Sequence, residues 1–136
     1  MSKIIIACDA LILNEKEEVL LQFRKNTKVF NGFWNTPGGK VEFGERLEDA
    51  LKREVLEEHD ISIELVRFLQ PYEGIFPESH TLVGAYLAKI VKGTPKIMEP
   101  EKCSDLQWFP LMSLPQPLTP QAKEYVATYL SSKKPL

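Results

Sequence analysis

A chain of 136 residues, 43% hydrophobic and 26% charged, has room for a single domain (1–136) with a sizeable core. Its formal net charge of −2 argues against the strongly basic surface that a nucleic-acid polymer would need. No apolar run is long enough to span a bilayer, and Cys8 and Cys103 form neither a CxxC nor a metal-ligand spacing, which suits reduced, buried thiols in a cytoplasmic protein.

Lys3 precedes an apolar run, but Asp9 interrupts it and no small-residue cleavage site follows, so the start does not read as a signal peptide. Residues 4–13 are apolar at nearly every position, which predicts a strand buried on both faces. Asn14-Glu15-Lys16-Glu17 reads as a polar turn, and residues 19–23 as a second strand paired with the first in a hairpin. A polar loop, 25–31, leads through Phe33 to Pro37 and the double glycine Gly38-Gly39. A helix is predicted from just after Glu45 to about Glu58, because Leu47, Leu51 and Val55 are spaced four apart.

Residues 61–69 alternate as a strand, and 70–79, with Pro71, Gly74 and Pro77, read as a loop. Residues 81–91 form a long strand, 92–102 another loop, and 106–109 a short apolar strand. Thr119-Pro120 is an N-cap followed by proline at the first helical position, opening a terminal helix to about Leu130. There is no repeat and no linker. The simplest packing is an α/β arrangement, a mixed sheet with a helix on each face.

The chemistry gathers in residues 38–61. Glu54, Glu57 and Glu58 are helix neighbours on the side of Leu47, Ala50 and Leu51, the side that should face the core. Carboxylates there repel one another and lose hydration unless something positive compensates, and a hard divalent cation is the simplest candidate. The bland alternative is a solvated acidic face. The helical angles weigh against it, since Leu56 falls opposite Leu47 and the glutamates fall near Leu47. Gly38 and Gly39 let backbone approach a ligand closely. Arg53 can hold Glu57 or reach back to Glu45 with a bidentate fork.

Gly39, five residues, Glu45, seven residues, Arg53-Glu54-Val55-Leu56-Glu57-Glu58 and then Ile61 resemble the Nudix box, here spanning 39–61. One position departs: Asp60 stands where the family has glycine. Glycine there ends the helix in the left-handed region, which aspartate enters more readily than most residues. A slightly strained helix end is expected, with the chemistry kept.

The resemblance implies a Nudix-type α/β/α sandwich with a mixed sheet between helices. It implies Mg²⁺ or Mn²⁺ held by Glu54, Glu57, Glu58 and the Gly38 carbonyl, and a catalytic set of Glu54, Glu57 and Arg53, with Glu54 activating water. It makes Glu101 a further metal ligand, with Glu99 as its substitute. The family cleaves nucleoside diphosphates linked to another group. Outside the box the chain is similar to MutT-like (deoxy)nucleoside-triphosphate diphosphatases, through Arg24, Phe33-Trp34-Asn35-Thr36-Pro37-Gly38-Gly39-Lys40 and Met98 to Cys103. That places Arg24, Asn35, Gly38 and Gly39 at the substrate. Arg24 would hold phosphates, and Asn35, with both donor and acceptor, would read a base edge. Phe33 or Trp34 would stack on a base or join the core. His59 is expected at the surface. ADP-ribose, other nucleotide sugars and dinucleoside polyphosphates remain rival substrates, and a non-catalytic nucleotide-binding module is the rival of another class. A small nucleotide is the expected partner, with no polymer and no membrane; the oligomeric state is left open, a homodimer included.

Overall fold

The computed structural model describes residues 2–133. In chain order its elements are β1 (Lys3–Ile12), β2 (Glu18–Arg24), β3 (Trp34–Asn35), β4 (Gly38–Lys40), α1 (Leu47–His59), β5 (Ser62–Phe76), β6 (Ser79–Lys92), β7 (Cys103–Pro110) and α2 (Pro120–Ser132). A mixed four-stranded sheet has the order β4-β1-β6-β5, with β1 and β6 parallel, and a smaller antiparallel sheet has the order β3-β2-β7. The α/β class and the mixed sheet agree with the sequence reading; the second sheet was not anticipated.

β1 and β2 do not form the expected hairpin ladder. The chain reverses at residues 14–17, and Leu13 and Val19 meet in one isolated bridge. β6 takes one edge of β1 along its whole length, and β4 takes the other at Ala7–Asp9. β2 is left to pair with β3 and β7.

Burial on both faces holds for the second half of β1, from Cys8, but not for the first half, where Ile4 is 77% and Ile6 40% exposed. Cys8, Ala10 and Ile12 pack with Ala50, Leu51 and Val55 of α1, while Leu11 points the other way, to Leu118, Tyr125 and Val126 of the α2 layer. β2 divides likewise, Leu20 to the first cluster and Val19 and Leu21 to the second. Trp34 is core rather than a free stacking platform, edge-on to Phe23 and Phe109 at 5.2 and 4.9 Å.

The expected loop at 70–79 is instead the end of a long hairpin. β5 runs 15 residues to Phe76 and pairs with β6 throughout, with register shifts at three places. Pro71 is tolerated because β5 is an edge strand, where a missing N–H on the outer side breaks no ladder. Among the described residues no helix is long and apolar enough to cross a membrane.

Both helix ends follow local chemistry. Thr119 caps α2 by accepting from the Ala122 N–H, with Pro120 behind it. Asp60 ends α1 at φ 56°, ψ 38°, and its N–H bonds to the Leu56 carbonyl, so aspartate performs the turn that glycine would perform more cheaply.

Candidate active site

A cleft of about 1080 Å³ opens between the two sheets and α1, with Asp9, Gln22, Arg24, Asn35, Glu54, Glu58 and Glu99 among its lining residues. It is large enough for a nucleotide-sized ligand. Each element supplies its residues for a local reason. β4 lies against β1 in the register Asp9↔Gly38 and Cys8↔Gly39. A Cβ at Gly38 would come within 2.1 Å of the Cys8 carbonyl oxygen, and one at Gly39 within 2.3 Å of Glu54 Cδ. The double glycine is therefore a close-approach device that seats two backbone units against β1 and the box carboxylates.

α1 brings Glu54 and Glu58, one turn apart, to the cleft wall. Glu57 lies outside it, its side chain 53% exposed on the flank of Arg53. So two of the three glutamates face inward, not all three. Arg53 ties the group together. Its Nε donates to Glu45 Oε2 at 2.7 Å and Nη2 to Glu45 Oε1 at 3.0 Å. Its Nη1 donates to Glu54 and Glu57 at 3.1 and 3.2 Å. The bidentate hold on Glu45 keeps that carboxyl below the ordinary range.

The inward carboxylates are strained electrostatically. Burial, and then the nearby charges of Glu54 and Glu99, push the Glu58 carboxyl from 4.5 to about 8. Its Oε1 is buried with no hydrogen-bond partner. Burial also raises Glu54, against the pull of Arg53. Asp9, missed as a site residue, sits on the cleft floor. Burial raises it from 3.8 to about 6, opposed by the Tyr125 hydroxyl, which donates to Oδ2 at 2.8 Å, and by Arg24. Its signal was present in the sequence as the one acid in an otherwise apolar strand.

Arg24 reaches the same space from a bulge at the end of β2, and its Nε is buried with no partner. Asn35 lines the cleft at 5% exposure. Glu101 is exposed and outside the lining, while Glu99 faces Glu54, Glu58 and His59. His59 is not at the surface: it is 1% exposed, with Nδ1 2.9 Å from the Lys96 carbonyl oxygen and Nε2 2.7 Å from the Gln22 side chain.

These residues fit a divalent cation. Desolvated, mutually repelling carboxylates and a sealed, unpartnered Glu58 oxygen call for positive charge. The donors are all oxygens, as a hard cation requires. Among the described residues no three His, Cys, Asp or Glu side chains already converge as a cage.

Known proteins resemble this chain in sequence and in fold. The NUDIX domain family matches residues 3–129. The chain is 40% identical over 72 residues to an 8-oxo-dGTP diphosphatase of Buchnera aphidicola, covering 53% of this chain and 58% of that protein. It is 31% identical over 112 residues to the NAD-capped RNA hydrolase NudC of Pectobacterium carotovorum, covering 82% of this chain and 41% of that protein. It thus spans about two fifths to three fifths of these curated relatives. A solved MutT NUDIX hydrolase from Burkholderia pseudomallei superimposes with a TM-score of 0.88 at 33% identity, covering 93% of this chain and 98% of the other. Matched to the family model over residues 3–129, with the fold of a MutT-type hydrolase, the chain belongs to the NUDIX family.

Proposed function

We propose that the chain hydrolyses a (deoxy)nucleoside triphosphate to the monophosphate and pyrophosphate, with Mg²⁺, or Mn²⁺, as cofactor. NUDIX hydrolases generally use divalent cations, and Mg²⁺ favours sites that leave room for phosphate oxygens. The observation that carries the reading is the pair Glu54 and Glu58, desolvated beside the Gly38-Gly39 strand in a cleft that Arg24 enters. Glu54, Glu58 and the Gly38 carbonyl would hold the cation, with Glu57 at its outer side and Glu99, rather than Glu101, as the further acid. When bound, the cation neutralises phosphate charge and acidifies water.

The chain's own residues do the rest. Arg24 binds phosphate oxygens, its desolvated guanidinium being freed of an unpaired donor as it does so. Glu54 takes the proton of the attacking water. Water oxygen bonds to phosphorus, the bridging P–O bond breaks, and its electron pair leaves with pyrophosphate. Arg53 keeps Glu45, Glu54 and Glu57 in place while the charge redistributes.

A second reading is a nucleoside diphosphate carrying a larger group, favoured by the similarity to a NAD-capped RNA hydrolase. A panel of nucleoside triphosphates, nucleotide sugars and dinucleotides with Mg²⁺, scored for pyrophosphate against phosphate, separates the two. Full Mg²⁺-dependent activity in both Glu57→Gln and Glu58→Gln would show the cation-binding assignment to be wrong. Nucleotide binding indifferent to Mg²⁺, without turnover, would make the chain a binding module.

A further inference from the structure

α1 covers only half of the sheet face on which it lies. Alternate residues of a strand share a face, so Ile4 and Ile6 lie on the side of Cys8, which packs with Ala50, Leu51 and Val55 of α1. β6 and β5 extend that face in two rows, with Ile4, His80 and Ile75 in one and Ile6, Leu82 and Glu73 in the next. Gly84 follows along β6 and marks the limit of the helix. A Cβ there would meet Leu47, the first residue of α1, at 2.4 Å and Phe68 at 3.6 Å.

Beyond Gly84 the face is open. Ile4 and Ile75 are 77% and 71% exposed, and Ile6, Leu82 and Phe68 about half. Phe43 is wholly exposed on the loop that climbs from the edge of β1, where the Val41 N–H bonds to the Ile6 carbonyl, onto α1. At about 150–200 Å² for a large side chain, these six expose roughly 600–700 Å² of apolar surface. That exceeds the scattered apolar surface of a monomer. It approaches the ~800 Å² that each partner of a stable dimer gives up.

The chemistry of the rows selects a second copy. Their two polar members satisfy each other, with His80 Nε2 2.7 Å from Glu73 Oε2, so neither calls for a charged partner. The rows are also self-complementary. β6 is the middle strand of the three. A two-fold axis laid along it sets Leu82 over its counterpart and Ile4 of each copy over Ile75 of the other, as an isologous contact requires. Sheets packed in this way keep their strands nearly aligned, about 10 Å apart.

We infer that the open half of the α1 face is the contact between two copies of this chain, a sheet-on-sheet homodimer centred on Leu82. The cleft lies on the opposite face of the same strands, where Ile5, Ala7, Thr81 and Val83 line it. Both clefts therefore stay open, each with its floor backed by the other copy.

The test is the dissociation constant of the full chain, from analytical ultracentrifugation over about 1 nM to 100 µM. The chain should sediment at twice its 15.6 kDa. The two-fold repeats every substitution, so Ile4→Glu and Ile75→Glu each bring two like charges into the contact. Each should weaken the dimer about 100-fold or more. Both side chains are exposed in the single chain, so far-UV circular dichroism should not change, and if one variant fails to fold the other decides. Met112→Glu, at an exposed residue beyond β7, should leave the dimer as it is. A wild type that stays at 15.6 kDa throughout overturns the inference. So does a dissociation constant unchanged in both variants, or one that Met112→Glu weakens as much as they do. A monomer that floats with phosphatidylcholine vesicles overturns it in favour of a lipid surface. None of these outcomes bears on the proposed reaction.

Discussion

Replacing Glu58 by glutamine should stabilise the cation-free chain at alkaline pH. Between 4.5 and about 8 the folded state holds a proton on Glu58 that the unfolded state has released. Stability therefore falls as pH rises across that window, the opposite of a salt-bridged acid. The gap from 4.5 to about 8, at about 1.36 kcal/mol per pH unit, sets a ceiling of roughly 5 kcal/mol. Relaxation and water entry at a half-buried group reduce this to about 1–3 kcal/mol. At roughly 4 °C per kcal/mol, Glu58→Gln in chelator at pH 8 should melt about 4–12 °C above wild type. At pH 5 the two should coincide. Asp9 has the same sign, but its window closes at about 6, and His59, held by burial below 6.5, has the opposite sign and stops contributing above that value, so the interval from 7 to 8 isolates the box glutamates. Excess Mg²⁺ should raise the wild-type melting temperature at pH 8 by mass action and do little for the variant. A wild-type melting temperature that is flat from pH 7 to 8 in chelator, or a variant that melts below wild type at pH 8, would refute the reasoning.

Gly39→Ala places a methyl 2.3 Å from Glu54 Cδ and must displace that side chain, so kcat should fall by about 100-fold in the steady-state assay. Arg53→Lys keeps the charge but loses the fork that spans Glu45, Glu54 and Glu57. kcat/KM should drop about 10–100-fold with only a small change in melting temperature. Asp60→Gly relieves an L-residue held at φ 56° and gives up only an exposed 3.5 Å pair with Lys96. Denaturant titration should show a gain of about 0.5–1 kcal/mol, with activity unchanged.

The part of the site that could be read from sequence is the part that is local. α1 and its glycines occupy one short stretch, and helical spacing alone placed Glu54 and Glu58 on the inward side. Spacing could not show that Glu57 would turn outward, because Arg53 holds it on the flank. The β1–β2 hairpin was misjudged because a turn between two apolar runs says nothing about competing edges, and β4 and β6 claim both edges of β1. The 70–79 segment was misjudged because its prolines and glycine argue for a loop anywhere except on an edge strand, and strand order is not written locally. His59, beside the box, was expected at the surface, whereas Gln22 and the Lys96 carbonyl meet it from distant elements.

The same division separates rate from recognition. Most of the groups proposed to hold the cation sit within one helix and one short strand, a local unit packed on β1, while Arg24 and Glu99 come from elsewhere. The cleft residues outside that unit meet only through tertiary contacts. Gln22 pairs with Asn35 across β2 and β3, Thr119 reaches Asn35 from the cap of α2, and Tyr125 of α2 reaches Asp9 of β1. α2 is thus more than a cover for the sheet, because its N-cap hydroxyl and one of its tyrosines both end at cleft residues. Changes on α1 should act mainly on kcat, while changes at the start of α2, where Thr119 holds Asn35, should act mainly on KM. A cap residue that alters KM while leaving kcat and the melting temperature in place is the behaviour that a purely structural helix would not show.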